Sequence, residues 1–204
     1  DPVDGGLVDA EGLAACVPYL RAEPALVERW SHRLDRGYFN IGICWQGNPE
    51  RKIDASRSIP LAKFLPGSQD PGVRLISLQK HFGLEQLQDL PAGMSVEVPG
   101  DGFDDGPDAF VDSAALLESL DLVIAPDTSI NHLAGALGRP AWLALNHVPD
   151  WRWMLDRSDS PWYPSVRLFR QERIDDWDTV FVAMAEALSE SVRERGVAVG
   201  KGEP

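Results

Sequence analysis

The sequence predicts an α/β fold, with about six short strands in one doubly wound parallel sheet and helices on both faces. Three observations carry that expectation. Short apolar runs alternate with stretches of helical periodicity along most of the 204 residues, the pattern of a parallel sheet with right-handed crossovers. The clearest run, Leu122–Ala125, leads into Asp127-Thr128-Ser129 and then a helix that stops at Gly138 and Pro140. A second run, Tyr38–Trp45, leads into the turn Gln46-Gly47-Asn48-Pro49 in the same way. A six-stranded sheet of this kind has the order 3-2-1-4-5-6. The first and fourth strands are then neighbours at the switch point, where ligands bind beyond the strand ends.

Taken in order, residues 1–36 read as a linker with a helical appendage. Leu26, Val27, Trp30 and Leu34 have helical spacing over 24–36. The domain proper is expected over 37–195. Its first strand and turn are followed by a polar loop over 50–58, and Ser58 with Pro60 can open a short helix. Val73–Lys80 is the second strand, 82–90 a short helix, and Met94–Val98 a third, weaker strand. A Gly/Asp-rich loop over 99–108 precedes a helix over 109–120, with Phe110, Ala114, Leu117 and Leu120 on one side. After the fourth strand and its helix comes a fifth strand, Ala141–Leu145. The segment 146–164 carries Trp151, Trp153 and Trp162 and reads as a folded lid or a packed surface loop, with Trp151 and Trp153 as packing residues. Val166–Phe169 is the sixth strand, Trp177–Val192 an amphipathic helix, and 196–204 a flexible tail.

Composition narrows the function. Hydrophobic content of 44% and charged content of 25% are those of a globular domain. Thirty-two acidic against 19 basic residues give a net charge of −13, which argues against nucleic acid or an anionic membrane as the main partner. An anionic ligand needs local basic groups working against that field. No apolar run reaches the roughly 20 residues of a membrane span, and no signal peptide is visible. The first residue is Asp, pointing to a processed product or a fragment. Cys16 and Cys44 make neither a disulfide framework nor a zinc site. Cys44, inside a strand, is expected to be a buried thiol, and a cytoplasmic location fits.

The chemistry concentrates on two turns. The turn at 127–129 aims a helix N-terminus, with free N–H groups and about half a positive charge, at whatever lies above the strand. His132 lies one turn further in. Hydroxyls, amides and an imidazole converging there suit a phosphate; a well-capped helix with a surface histidine is the other reading. The loop of Gly47 and Asn48 falls beside this turn. Arg57 is a candidate phosphate contact or the partner of Asp54, and Lys80 a candidate ligand group or a solvated strand end. Trp45 is expected in the core. His81 and His147 have no argued role.

Eight motifs in order carry a resemblance. They are Ile43-Cys44-Trp45-Gln46-Gly47-Asn48-Pro49, Arg57-Ser58-Ile59-Pro60-Leu61, Ser77-Leu78-Gln79-Lys80 and Leu120-Asp121-Leu122-Val123-Ile124, then Asp127-Thr128 with His132-Leu133-Ala134-Gly135-Ala136-Leu137-Gly138, and Asp150-Trp151-Arg152-Trp153, Ser160-Pro161-Trp162-Tyr163-Pro164 and Arg167-Leu168-Phe169-Arg170-Gln171. The series, over about 38–188, resembles the C-terminal half of bacterial glycosyltransferases often preceded by tetratricopeptide repeats. These are related to the lipopolysaccharide heptosyltransferases and, more distantly, to O-linked N-acetylglucosamine transferase. The resemblance implies half of a GT-B fold, in which residues 37–195 form the Rossmann-like half that binds a nucleoside-diphosphate sugar. It further implies that Asp127, Thr128, Ser129 and His132 form the diphosphate-binding turn, with Ser129 replacing a family glycine and offering at least its N–H. Arg57 would approach the phosphates, Gly47 and Asn48 would lie beside them, and Gln79 and Lys80 would reach the ribose or base. Transfer in this family is generally metal-independent, so no metal and no cofactor beyond the donor are expected, and no Asp-x-Asp motif of the metal-dependent transferase kind is evident. The acceptor and the general base would belong to an N-terminal Rossmann-like half, which with the repeat region would be this chain's partner. A non-catalytic binding or scaffold module that keeps the fold is the alternative.

Overall fold

The computed structural model describes residues 16–51 and 54–196. Six parallel strands form one sheet: β1 (Phe39–Ile43), β2 (Val73–Ser77), β3 (Val96–Glu97), β4 (Leu122–Pro126), β5 (Ala141–Leu145) and β6 (Val166–Arg170). Their order is β3-β2-β1-β4-β5-β6, as the sequence predicts. β1 pairs with β2 from Phe39↔Val73 to Ile43↔Ser77 and with β4 from Ile41↔Leu122 to Ile43↔Ile124. The helices among the described residues are α1 (Pro24–Ser31), α2 (Asp54–Arg57), α3 (Val111–Leu117), α4 (Ser129–Ala136) and α5 (Trp177–Arg195).

Helices cover both faces of the sheet, so its central strands are apolar throughout and successive side chains enter opposite layers. Val123 and Ala125 of β4, with Leu143 and Leu145 of β5, pack into the layer that holds Trp30 of α1, Leu116 of α3 and Ile130 of α4. Leu122, Ile124 and Trp142 face the other layer with Phe181 and Met184 of α5. On the first face Gly42 lets β1 sit close under its neighbours; a Cβ there would stand 2.4 Å from Leu120 and 2.7 Å from Leu78.

α5 buries Trp177, Val180, Phe181, Met184, Leu188 and Val192, a three-and-four spacing that makes one apolar stripe. Each such side chain contributes about 1.5–3 kcal/mol of transfer free energy. Asp176 caps the helix by accepting from the Thr179 N–H, and Gly196 ends it in the left-handed region at φ 69°. Arg195 pairs with Asp121 at 2.8 Å, fastening the helix end to the start of β4.

Several boundaries differ from expectation. The helix predicted over 24–36 ends at Ser31, where the chain tightens into turns (Arg33 N–H to Trp30 C=O, Leu34 N–H to Ser31 C=O). The helix predicted over 109–120 shortens to α3. Phe110 stands in the left-handed region at φ 70° and is exposed instead of packing inward. The reason is a cap from outside the local sequence: the Asp104 carboxylate accepts from the N–H groups of Asp112 and Ser113, at 2.8 and 3.2 Å. The helix predicted over 82–90 is a short 3-10 turn, Leu84–Gln88, entered through Gly83 at φ 82°. The polar loop over 50–58 contains the single turn α2. Ser58 opens no helix; its hydroxyl donates to Asp54 and accepts from Gly47. The following 3-10 turn Leu61–Phe64 is capped by Gln86, whose Oε1 accepts from the Leu61 N–H at 2.8 Å. Residues 1–15 of the segment predicted as a linker with a helical appendage lie outside the described residues, as do Lys52, Ile53 and the tail from 197 to 204. Among the described residues no helix is long and apolar enough to cross a membrane.

Candidate functional site

β1 and β4 are adjacent, so the loops that leave their C-terminal ends lie side by side above the sheet. Between them and the end of β2 opens a cleft of about 730 Å3. All nine residues singled out from the sequence line it: Gly47, Asn48, Arg57, Gln79, Lys80, Asp127, Thr128, Ser129 and His132.

The two central loops are clamped together. Arg57 Nη1 donates to the Asp127 carbonyl at 2.9 Å, and its Nε lies 3.3 Å from Asp54 Oδ1. The Asp54 pairing and the approach to the 127 turn therefore coexist. Asp54 is buried and also accepts from Ser58 Oγ at 2.8 Å, while Ser58 Oγ accepts from the Gly47 N–H at 3.2 Å. Gly47 is required at this crossing, because a Cβ would stand 2.3 Å from Asp54 Oδ1 and 2.8 Å from Arg57 Nη2.

α4 begins at Ser129 in this cleft. Thr128 holds the N-cap position in extended conformation, but its side chain does not cap the helix; the Thr128 hydroxyl instead lies 4.0 Å from Cys44 Sγ. The first N–H groups of α4 thus face the cleft that Ser129 and Ile130 line. An uncapped helix end of this kind attracts anions through its N–H groups and its partial positive charge.

His132 is held on both sides. Its Nδ1 lies 3.1 Å from the Tyr163 hydroxyl, and its Nε2 lies 3.7 Å from Asp127 Oδ1. Trp153 stacks against the ring at 5.3 Å between centroids. Burial alone would raise the Asp127 carboxyl. His132, the Trp153 indole that faces it outside hydrogen-bond geometry, and the charge of Arg152 outweigh burial and hold it below the usual carboxylate range. Tyr163 reaches this position only because residue 135 is glycine; a Cβ there would stand 2.4 Å from the phenol ring. Burial and the neighbouring Tyr19 push the Tyr163 phenol up, so it stays protonated.

The other sequence-chosen residues divide. Gln79 lines the cleft, yet its amide is spent inside the protein. Oε1 accepts from the Trp45 and Gln46 N–H groups at 2.9 and 3.0 Å, and Nε2 donates to the Gln46 and Phe82 carbonyls at 2.8 and 2.9 Å. It shapes the loop after β1. Lys80 pairs with Asp105 at 2.8 Å and donates to the Phe103 carbonyl, tying the 99–108 loop to the end of β2. Asn48 Oδ1 accepts from the Glu50 N–H at 2.9 Å, an Asx turn. Cys44 is buried as expected, and burial pushes its thiol up to about 11. Trp45 is fully buried.

Sequence reasoning missed Asp150, Arg152, Phe82 and Phe110, which also line the cleft. Arg152 Nε lies 3.3 Å from Asp150 Oδ1. In Asp150-Trp151-Arg152-Trp153 the basic residue between two tryptophans is the available signal. The 146–164 segment is a packed surface loop around Trp153, which is fully buried. Trp151, expected to pack, is 72% exposed. Arg57, Lys80 and Arg152 each carry a carboxylate partner, Asp54, Asp105 and Asp150 respectively. Among the described residues no group of three His, Cys, Asp or Glu is disposed to ligate a metal ion.

No family model matches the chain. It is 31% identical over 173 residues to Protein FlbA of Caulobacter vibrioides, a match that spans 83% of this chain and 28% of that protein. Among solved structures it is similar to the ADP-heptose lipopolysaccharide heptosyltransferase II of E. coli, with a TM-score of 0.59 at 14% identity over 87% of this chain and 54% of that one. It is similar also to a glycosyl transferase of family 9 from Veillonella parvula, with a TM-score of 0.57 at 12% identity over 86% and 53%. The chain therefore has a fold found in glycosyltransferases and spans about half the length of those two structures.

Proposed function

We propose that this chain is the donor-binding domain of a glycosyltransferase and holds a nucleoside-diphosphate sugar in the cleft between the β1 and β4 loops. The diphosphate lies against the N–H groups of Ser129 and Ile130, flanked by Arg57 and Arg152, and the nucleoside runs toward Lys80, Phe82 and Phe110. When the sugar–oxygen bond breaks, negative charge collects on the leaving diphosphate. Fixed amides and guanidinium groups stabilise that charge without having to reorganise, so transfer proceeds without a metal ion. Asp127 has a structural role: its carboxylate stays ionised and holds one edge of His132, and its main-chain carbonyl receives Arg57. The acceptor and general base come from a second, N-terminal Rossmann-like half.

The observation that carries this reading is the uncapped N-terminus of α4 opening into the switch-point cleft beside Arg57. In a chain of net charge −13, a concave site with exposed amides and basic side chains selects an anion locally against the overall field. The fold found in glycosyltransferases supports the assignment of that anion as a donor diphosphate. Calorimetric titration with UDP, ADP, GDP and CDP, without and with Mg2+, tests it. Binding of one of the four in the absence of Mg2+ is expected, and rejection of all four overturns the reading.

A further inference from the structure

A second hollow, of about 280 Å3, shares two wall residues, His132 and Arg152, with the cleft. Its remaining lining is aromatic: Tyr19, Trp151, Trp162 and Tyr163. The rings are set in place by specific contacts. Trp162 Nε1 donates to the Arg152 carbonyl at 2.7 Å, and Trp151 stands edge-on to Trp162 at 88° with centroids 6.3 Å apart. The Tyr19 segment is held by hydrogen bonds from the Tyr19 and Leu20 N–H groups to the Ala136 carbonyl at the end of α4. Trp151 remains 72% exposed.

We infer that this hollow is the sugar subsite of the donor, taking the pyranose ring of a nucleoside-diphosphate sugar against Trp151 and Trp162. The inference rests on the donor-binding reading of the cleft and names the group held beside it. A donor has two ends beyond its diphosphate. At one end of the cleft lie Lys80, Phe82 and Phe110; at the other, across His132 and Arg152, lies the aromatic hollow. A nucleoside, a base plus a ribose, is larger than a hexose. At about 280 Å3 the hollow falls just below the roughly 300–1,000 Å3 typical of whole ligand pockets, so it suits the smaller group. Its chemistry suits a sugar as well. A pyranose presents an apolar C–H face, which packs on an aromatic ring, and an edge of hydroxyls. Arg152, His132 and the tyrosine hydroxyls supply hydrogen-bonding groups around that edge. An exposed indole beside a polar wall is also the kind of amphipathic surface that ligands cover.

The test uses the whole 204-residue chain labelled with 15N. Backbone amides of Ser129 and Ile130 report the diphosphate position, and the indole N–H signals of Trp151 and Trp162 report the hollow. Matched pairs are added: UDP and UDP-N-acetylglucosamine, ADP and ADP-glucose, GDP and GDP-mannose. For the nucleotide that binds, both members of the pair should shift the Ser129 and Ile130 amides, and only the sugar form should shift the two indoles. Trp151→Ala, at an exposed position, should weaken the sugar form about three- to tenfold and leave the nucleoside diphosphate unchanged, and Trp151→Phe should restore most of the loss. If both members shift the indoles alike, or neither does while the amides move, the subsite is overturned and the donor reading stands. If no member moves the Ser129 and Ile130 amides, the donor reading fails and this inference fails with it.

Discussion

Arg57 and Asp127 are joined across the two central loops by a hydrogen bond from a guanidinium to a main-chain carbonyl, Arg57 Nη1 to the Asp127 oxygen at 2.9 Å. This one contact locks the loop after β1 to the turn that begins α4. It also leaves the guanidinium beside the first amides of that helix. Arg57 is thus a brace between the two loops and, in the proposed donor site, a cation for the diphosphate.

Arg57→Ala removes the brace and the guanidinium paired with the buried Asp54. An unfolding free-energy loss of about 1–3 kcal/mol is expected, since a buried carboxylate loses a charged partner. Arg57→Lys keeps the charge but not the two-way geometry and should fall between. Urea denaturation of the three proteins measures the order.

Gly135→Ala separates helix propensity from packing. Alanine favours a helix by about 0.8–1 kcal/mol over glycine, yet its Cβ would stand 2.4 Å from the Tyr163 ring. Overpacking of that kind costs about 1–3 kcal/mol, so a net loss of stability is expected. The same variant should displace Tyr163 from His132, visible as a shift of the His132 ring signals in NMR that Tyr163→Phe reproduces in part.

Asp127 gives a pH signature. Its carboxyl titrates below the usual range in the folded protein, so the folded state favours the ionised form. The stability this contributes is present above the unfolded value near 4 and is lost as pH falls through the lower folded value. The unfolding free energy of the wild type should therefore exceed that of Asp127→Asn by its widest margin at neutral pH. The margin should shrink below pH 4, as read by denaturation at pH 7 and pH 3.

Cys44 should resist modification in the native state. Its thiol is buried and raised to about 11, whereas Cys16 is exposed. At pH 7.5 a disulfide reagent is expected to label Cys16 rapidly and Cys44 only on unfolding, so peptide mapping of the early product should find one modified position.

The sheet was legible because its strands are buried on both faces, and continuous apolar runs such as Leu122–Ala125 stand out against the intervening helices. The meeting of the two loops followed from strand order alone. What was not legible depends on contacts distant in sequence. Asp104 caps α3 from eight residues upstream of Asp112, which displaced Phe110 out of the helix and into the cleft wall. Gln79 stands at a strand end, but its amide is consumed by the Phe82 carbonyl and by backbone groups of the β1 loop, more than thirty residues away, that no spacing rule connects to it. Arg152 entered the cleft through the packing of Trp153 under His132. A sequence window shows neither that stacking nor the glycine at 135 that makes room for Tyr163.

The most direct test of the site is to delete one amide hydrogen at the start of α4. Ser129→Pro does this: proline is tolerated at the first helical position, and Thr128 before it is already extended, at φ −132° and ψ 169°. Calorimetric titration of wild type and Ser129→Pro with the nucleoside diphosphate that binds, with far-ultraviolet circular dichroism to verify the fold, is the measurement. A folded variant that binds about tenfold or more weakly is the expected result, because a charge-assisted hydrogen bond to phosphate is lost. A folded variant with wild-type affinity would contradict the placement of the diphosphate on the α4 N-terminus.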